Sequence, residues 1–429
     1  MGSGYLYMNA TDAKIDSLDQ DDLEKLRNER AQFKTVPDMP TETMTLNFGP
    51  QHPATHGTLH MVLELDGERI VKVTPHIGYL HTGFEKIGEH RSYNQFVALS
   101  DRMNYLSPLS NNIGFATAVE KLMGITLTPR TEYIRTILAE LSRLADHLVC
   151  VGTAALDIGA FTAFLYGFRA REELYDVFEA VTGTRLTTSY TRVGGLLRDV
   201  PPNFQEIVGK ALIECDRSID EIDKLLTHNR IWRDRTQGVG VVSADDALGF
   251  GATGPILRAS GVDWDLRKNE PYLIYDQLDF DVVIGENGDV YDRYLVRMEE
   301  MRQSIKIVRQ IIDKIPDGPI SSDEDHTVIP TKAEVYESME SLIYHFKLTM
   351  EGHGPLPEPG EVYSSTEAPN GELGFYIVSD GSRHPYRLRV RPPSLFHFSM
   401  FPKLVPGHML ADVVAILGSM NIIAGELDR

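Results

Sequence analysis

Cysteine is nearly absent: the 429 residues include two, Cys150 and Cys215. A thiolate-held iron–sulfur cluster normally takes four, so this chain alone cannot ligate one. An all-cysteine structural zinc site is excluded for the same reason. A disulfide framework goes with them, and a reducing compartment fits best. Positive charge is also in deficit, with a formal net charge of −20 at pH 7. Phosphate binding needs a basic footprint, so nucleic acid is not an expected partner. A polybasic membrane anchor is excluded on the same ground. The opening residues, MGSGYLYMNATDAK, lack a charged region followed by an apolar core, so no signal peptide is expected. Leu6 stands where myristoylation of Gly2 would want Ser or Thr.

One segment comes near a membrane span. Residues 148–168, LVCVGTAALDIGAFTAFLYGF, carry a single charge, Asp157. The length would cross a bilayer. The abundance of Ala, Gly and Thr and a mid-depth charge costing about 3 kcal/mol argue against it. The expectation is a buried helix in a large core, with Asp157 needing a partner: a cation, a histidine or backbone donors.

What is present divides the chain into four parts: a polar arm over 1–40, a β-containing region over 41–127, a helical bundle over 128–350, and a β/loop region with a final helix over 351–429. The fold class is α+β, mainly helical. In the arm, Asp19 to Phe33 reads as a charged helix closed by Pro37 and Pro40. TMTLNFG and TLHMVLELDGERIVKVTPHI alternate in polarity, and Asp66-Gly67 marks a hairpin turn. Thr128-Pro129 is a helix start. An apolar stripe follows through Tyr133, Ile134, Ile137, Leu138, Leu141, Leu144 and Leu148. Asn203 to His228, Tyr291 to Ile315 and Ala333 to Thr349 read as further long helices, and such helices pack as a bundle. Short strands, GFYIVSD and YRLRVR, and a helix from about His408 to Met420 complete the chain.

Five segments could carry chemistry. Six of the 14 histidines lie between residues 52 and 90, and GPQHPATHGTLH sets His52 and His56 on a loop constrained by Pro and Gly. Metal ligation, proton transfer and hydrogen-bonded loop histidines all remain open, although no second cluster offers metal-ligand spacing. DRMNYLSP is a polar loop before a helix. Asp157 is the third candidate. TGTRLTTSYTRVGG lacks the strand–turn–helix setting and glycine spacing of a nucleotide fingerprint, so phosphate cradling is rejected. YSSTEAPNGELGFY reads as a hairpin, with Glu367 and Glu372 flanking its turn.

FGPQHPATHG, GYLHTGFEK, DRMNY, TGTRLTTSYTRVGG, VYSSTEAPNGELGFY and GHMLADVVAILGSMNIIAGELDR, in that order over residues 41–429, resemble the 49-kilodalton (D) subunit family of respiratory complex I, NADH:quinone oxidoreductase. That family in turn looks like the large subunit of nickel–iron hydrogenases, so the resemblance implies a hydrogenase-like helical bundle. Hydrogenases hold their metal by two Cys-x-x-Cys pairs. Here the first pair's region reads Arg102-Met103-Asn104-Tyr105, and the second lies where the chain stops at Asp428-Arg429. Soft-metal binding needs those thiolates, so no metal is expected, and the resemblance implies a quinone headgroup in the cavity instead.

By the same resemblance, His56 and Tyr105 hydrogen-bond the quinone oxygens and Asp157 contacts His56. His52 and Ile423 line the site. Arg102 and position 187 lie near a terminal [4Fe–4S] cluster held by an adjacent subunit. Tyr105 would donate its phenolic proton and His56 a proton from imidazolium. The chain itself would bind no cluster, flavin or NAD and would work only within a proton-translocating complex. Its partners would be the cluster-bearing subunit, the C-type and H-type subunits and the membrane arm. It would be peripheral, on the cytoplasmic side of the cell inner membrane. Three departures stand out: Thr187 where the family often has His, Asn421 where many relatives have Asp, and Thr82 where some have Arg. Thr187 cannot titrate, so the cluster potential would be nearly independent of pH and lower; a low-potential acceptor such as menaquinone would fit, with ubiquinone still open. A ferredoxin- or deazaflavin-fed sister complex and a non-catalytic scaffold subunit are the alternatives.

Overall fold

A computed structural model describes residues 42–322, 329–350 and 354–429. The expected arm over 1–40, with its charged helix, lies outside the described residues. Strands β1 (Met44–Phe48), β2 (His60–Asp66) and β3 (Arg69–His76) form an antiparallel meander. Met61, Leu63 and Leu65 alternate inward along β2 while their neighbours stay partly exposed, the pattern of a sheet with one buried face. β2 and β3 close around the Asp66-Gly67 turn, with Asp66 opposite Arg69. The sheet joins the far end of the chain by backbone bonds: Ile70 N–H donates to His408 O at 2.9 Å, and Leu410 N–H to Glu68 O at 2.9 Å.

Helices form the bulk: α1 (Tyr93–Ser100), α2 (Pro108–Met123), α3 (Pro129–Asp157), α4 (Phe161–Thr182), α5 (Phe204–Leu226) and α6 (Val290–Ile311). A short pair, β4 (Thr191–Arg192) and β5 (Gly195–Leu196), lies between α4 and α5. The 29 residues of α3 run about 43 Å at 1.5 Å per residue. Thr128 caps its start, accepting from Thr131 N–H at 3.4 Å. Buried for most of its length, α3 packs against α2, α4 and α6 and is the spine of the bundle. The chain ends with the antiparallel sheet β6 (Gly360–Ala368), β7 (Gly371–Ser379) and β8 (Arg387–Arg391). Helices α7 (Pro393–Ser399), α8 (Leu410–Met420) and α9 (Ala424–Asp428) follow. The architecture is the expected mainly helical α+β fold, with small sheets toward both ends.

Three helix expectations need correction. Residues 148–168 are not one buried helix. α3 stops at Asp157, and Gly159 takes φ +102°. Ala160 N–H reaches Ala155 O at 2.8 Å and Gly159 N–H reaches Leu156 O at 2.9 Å. That is a Schellman termination, for which glycine is the usual residue. Leu156, Phe161 and Leu165 around the break are 36%, 54% and 50% exposed. The expected helix over Ala333–Thr349 is two, Lys332–Glu337 and Met339–Thr349. Ser338 is extended between them, and its hydroxyl accepts from Ser341 N–H at 3.3 Å as a fresh N-cap. Neither helix buries a residue, so neither joins the bundle core. The helix expected to reach Ile315 ends at Ile311 and tightens into a 3-10 turn, Ile312–Lys314. Among the described residues, no helix is long and apolar enough to cross a membrane.

Charge, not only apolar area, fills the centre. Arg143, Arg258 and Arg267 lie buried with Glu140, Asp265, Glu300 and Glu367. Arg258 meets Glu300 at 2.7 Å and Glu367 at 2.8 Å, and Arg267 meets Asp265 at 2.7 Å and Glu140 at 3.2 Å. Tyr275 Oη and Ser304 Oγ each donate to Glu140 at 2.6 Å. Burial works to raise all four carboxyls. For Glu140, Asp265 and Glu300 the arginines outweigh it and hold them below the usual range. For Glu367 burial wins, and its carboxyl is raised despite Arg258. Three cations thus face four carboxyls, three held below the usual range and one raised above it.

Removing one partner strands the others in a dry interior, at about 3–5 kcal/mol. Arg258→Met is therefore expected to lower the thermal unfolding midpoint of the purified chain sharply; an unchanged midpoint would show that the network contributes little.

Candidate functional site

The histidine loop is shaped by a backbone that few residues can adopt. Gly49 has φ +85°, and a Cβ there would lie 2.0 Å from Leu59 O, so only glycine fits. Pro53–Thr55 form a 3-10 turn capped by His52, whose Nδ1 accepts from Ala54 N–H at 3.2 Å. His56 ends the turn in the left-handed region, φ +53°, at a cost of order 1–3 kcal/mol for a non-glycine residue. That conformation turns its ring away from His52 and toward the end of α3, where Nε2 lies 2.6 Å from Asp157 Oδ2. The two side chains are 18% and 10% exposed. Asp157 is the last residue of α3, at the negative end of the helix dipole, where a carboxylate is unfavourable and a cationic partner offsets it. The partner that the sequence demanded for Asp157 is thus His56, at a helix end rather than mid-helix.

Gly57 separates this pair from Tyr105. A Cβ on Gly57 would lie 3.1 Å from Ala424 Cβ and 3.9 Å from Tyr105 Oη. Tyr105 sits in the turn between α1 and α2. There Asn104 Oδ1 accepts from Leu106 N–H at 3.1 Å and Ser107 N–H at 3.3 Å, an Asx-type turn. Burial, and then the charge of Asp146, push the Tyr105 phenol above its ordinary pKa.

Other motif segments converge on the same place. Asp101 accepts from Ser189 N–H at 2.9 Å and Ser189 Oγ at 2.6 Å, tying the 182–195 loop to DRMNY. Burial raises the Asp101 carboxyl despite these bonds. Arg102 directs a half-exposed side chain outward, 3.7 Å from Asp101. Thr187, two residues before the anchored Ser189, is half-buried, and its carbonyl accepts from Thr184 Oγ1 at 2.8 Å. Ile423 is buried, and its N–H donates to Ser394 Oγ at 3.3 Å. Asp428 accepts from Gly78 N–H at 2.9 Å and Leu80 N–H at 2.7 Å, which fixes the GYLHTGFEK segment to the C-terminus. Thr82 is exposed there. Asn370, at the β6–β7 turn, accepts from Asn421 Nδ2 at 2.5 Å.

Five groups escaped sequence reading: Asp101, Asp146, Asn370, Ser394 and Glu426, all buried. The usable signal was polarity inside otherwise apolar helical faces, as at Asp146-His147. Both cysteines are free and buried, and burial lifts the Cys150 thiol to about 11. Neither is poised as a nucleophile.

A partly buried histidine–carboxylate pair thus lies across one glycine from a buried tyrosine hydroxyl. Comparison with known proteins places the chain among the subunits of an oxidoreductase complex. Residues 157–429 match the family described as respiratory-chain NADH dehydrogenase, 49 Kd subunit. The D-type subunit of NADH-quinone oxidoreductase from Geotalea uraniireducens (strain Rf4) is 54% identical over 389 residues, covering 91% of this chain and 99% of that protein. The D-type subunit from Methylacidiphilum infernorum (isolate V4) is 52% identical over 388 residues, covering 90% and 92%. The chain belongs to the 49 Kd subunit family of respiratory-chain NADH dehydrogenase, and its partners are the other subunits of that complex.

Asp101 is predicted to hold the 182–195 loop in place. Asp101→Ala leaves Ser189 N–H without its acceptor, a loss of about 1–3 kcal/mol. Faster hydrogen exchange at residues 188–190 of the assembled complex is the expected result; unchanged exchange would contradict it.

Proposed function

We propose that the space bounded by His56, Gly57, Tyr105 and Ala424 receives the quinone headgroup, and that this chain forms the quinone-reduction site of its complex. The carrying observation is the position of Gly57, with the His56–Asp157 pair beside it and the Tyr105 hydroxyl about one contact distance from where a side chain would be. Quinone takes up two electrons and two protons to become quinol. Tyr105 gives its phenolic proton to one oxygen, and His56 gives an imidazolium proton to the other. Asp157 stabilises that cation and fixes its ring. Donors must come within ~2.6–3.2 Å in the productive pose, and both also stabilise charge developing on the oxygens. His52 and Ile423 line the approach.

Electrons would reach this site singly from a [4Fe–4S] cluster held by a neighbouring subunit. This chain does not fit as its ligand, since its two thiols are buried inside helices α3 and α5, away from the loop. The half-exposed Arg102 and the adjoining Thr187 loop form the side that meets that neighbour. NADH is oxidised elsewhere in the complex. The C-type and H-type subunits and the membrane arm complete the surroundings, with this chain peripheral on the cytoplasmic face and menaquinone as the acceptor.

Tyr105→Phe is expected to leave assembly intact and to reduce NADH-driven quinone reduction by roughly 100-fold or more, the usual contribution of a positioned acid. Full turnover in the assembled variant would overturn the reading. An intact wild-type complex inactive with NADH but active with reduced ferredoxin or deazaflavin would move the same site to a sister enzyme. The neighbouring cluster's potential is expected to be flat with pH in the wild type, and Thr187→His should introduce a slope. A steep slope in the wild type would contradict the role assigned to Thr187.

A further inference from the structure

Behind Tyr105 lies a second polar cluster that the proton donors above do not use. Asp146, from α3, is fully buried. Its Oδ1 accepts from Asn421 Nδ2 at 2.6 Å, and its Oδ2 has no partner. Glu426, from α9, is 1% exposed. Its Oε2 accepts from Ser394 Oγ, and its Oε1 has no partner. Asn421 Nδ2 also reaches Asn370 Oδ1, and Asn370 lies beside Glu426. Asn421, bonded to Asp146 and Asn370, and Asn370, beside Glu426, therefore stand between the two carboxyls. The cluster is pressed against the Tyr105 turn: a Cβ on Gly425 would lie 2.6 Å from Arg102 O and 2.9 Å from Met103 O.

Two bare carboxylates in so dry a place would be costly. We infer that Asp146 and Glu426 form a buried acid pair that holds one proton between them and acts on the quinone site through Tyr105. The inference rests on the proposed quinone site and adds a positioning pair to it.

Burial first, and then the Asp146 charge, raise the Glu426 carboxyl to about 8. The proton therefore sits on Glu426 at neutral pH. Charged and titratable groups face the pair from each element around it. His147 and Cys150 share α3 with Asp146 and feel its charge. Arg171 on α4 feels it as well. Arg297 on α6 acts on His147 and Cys150, and also on His397 of α7, the helix that carries Ser394. Burial holds His147 and His397 below their ordinary range, so neither adds a cation at neutral pH.

The consequence for Tyr105 is one of charge. When its O–H bond breaks and the proton bonds to a quinone oxygen, negative charge develops on the phenolic oxygen. Beside a pair carrying one negative charge that step is easier than beside two. Ionisation of Glu426 would hold the proton on Tyr105 and slow the transfer.

Infrared spectroscopy of the assembled, oxidised complex in H2O and D2O tests the pair directly. Among the protonated-carboxyl bands at pH 7, one is expected to be lost in Glu426→Gln and to fade as pH rises through about 8. In Asp146→Asn the band should fade at lower pH, because a negative neighbour is gone. A band indifferent to Glu426→Gln, or with the same pH dependence in Asp146→Asn, would overturn the shared proton. In parallel, wild-type quinone kcat should fall over the pH range in which the band fades. That fall should vanish in Glu426→Gln with KM unchanged. A persisting fall would overturn the action through Tyr105. If Tyr105→Phe keeps full quinone turnover, the quinone reading fails by itself, while the infrared result still decides the pair.

Discussion

The buried network of Arg143, Arg258 and Arg267 with Glu140, Asp265, Glu300 and Glu367 is the constraint on which the rest of the structure depends. Its members come from α3, the 254–269 segment, α6 and β6. Its ion pairs cross between those segments, Arg258 to Glu300 and Glu367 and Arg267 to Glu140. Taking such ions out of water costs several kcal/mol each, and mutual attraction offsets this only when geometry is good and the remaining polar atoms are satisfied. Arg143 directs its remaining donors to the carbonyls of Glu367 and Ala368, which also ties the β6–β7 hairpin to the spine. The network sets α3 in one register against the hairpin and α6.

That register decides where the site's polar groups end up. Glu140, Arg143 and His147 sit three and four residues apart on α3, so one face of the helix is spoken for. His147 continues the network by meeting Glu300 at 2.9 Å. Asp146 is thereby directed toward Asn421, and Asp157 emerges at the helix end. The proposed proton donors and their partner stand where rigid elements stop: Asp157 at the end of α3, His56 after a 3-10 turn, Tyr105 before α2. Rigid elements aim such groups better than free loops do. The six quoted sequence motifs, spread from Phe48 to Arg429, meet here because each lies at such a boundary.

Much of the scaffold was legible in the sequence. Alternation gave β2 and β3, and Asp66-Gly67 gave their turn. The stripe through Leu141, Leu144 and Leu148 gave the spine. The break at Gly159 was legible too, since glycine is the usual left-handed C′ residue, but the apolar run on both sides outweighed it. Ser338 likewise stood as a cap inside a run that otherwise read as helix. The ion network was not legible. Periodicity registers apolar positions, and Arg258 or Glu300 in a helical pattern looks like a solvated face until distant partners are known. The same blindness applies to His56 and Asp157, 101 residues apart. The residues alone show that Asp157 needs a partner and that His56 is constrained; the family resemblance pairs them, and the fold sets them 2.6 Å apart.

Asn421 joins these levels. It ends α8 in the left-handed region, φ +51°, a conformation that Asn tolerates better than most residues. Its amide donates to Asp146 Oδ1 and Asn370 Oδ1, both of which only accept. An ionised Asp there, as the family resemblance places in many relatives, would set acceptor against acceptor and add a third acid to a dry cluster. It would have to bind a proton of its own, and while ionised it would hold the Glu426 proton more tightly. The neutral amide leaves that proton count alone, so the cap that ends α8 also fixes the charge that Tyr105 experiences. Backbone geometry, capping and electrostatics are settled there by one side chain, which is why a change of one atom at position 421 reaches the chemistry without touching the ligand.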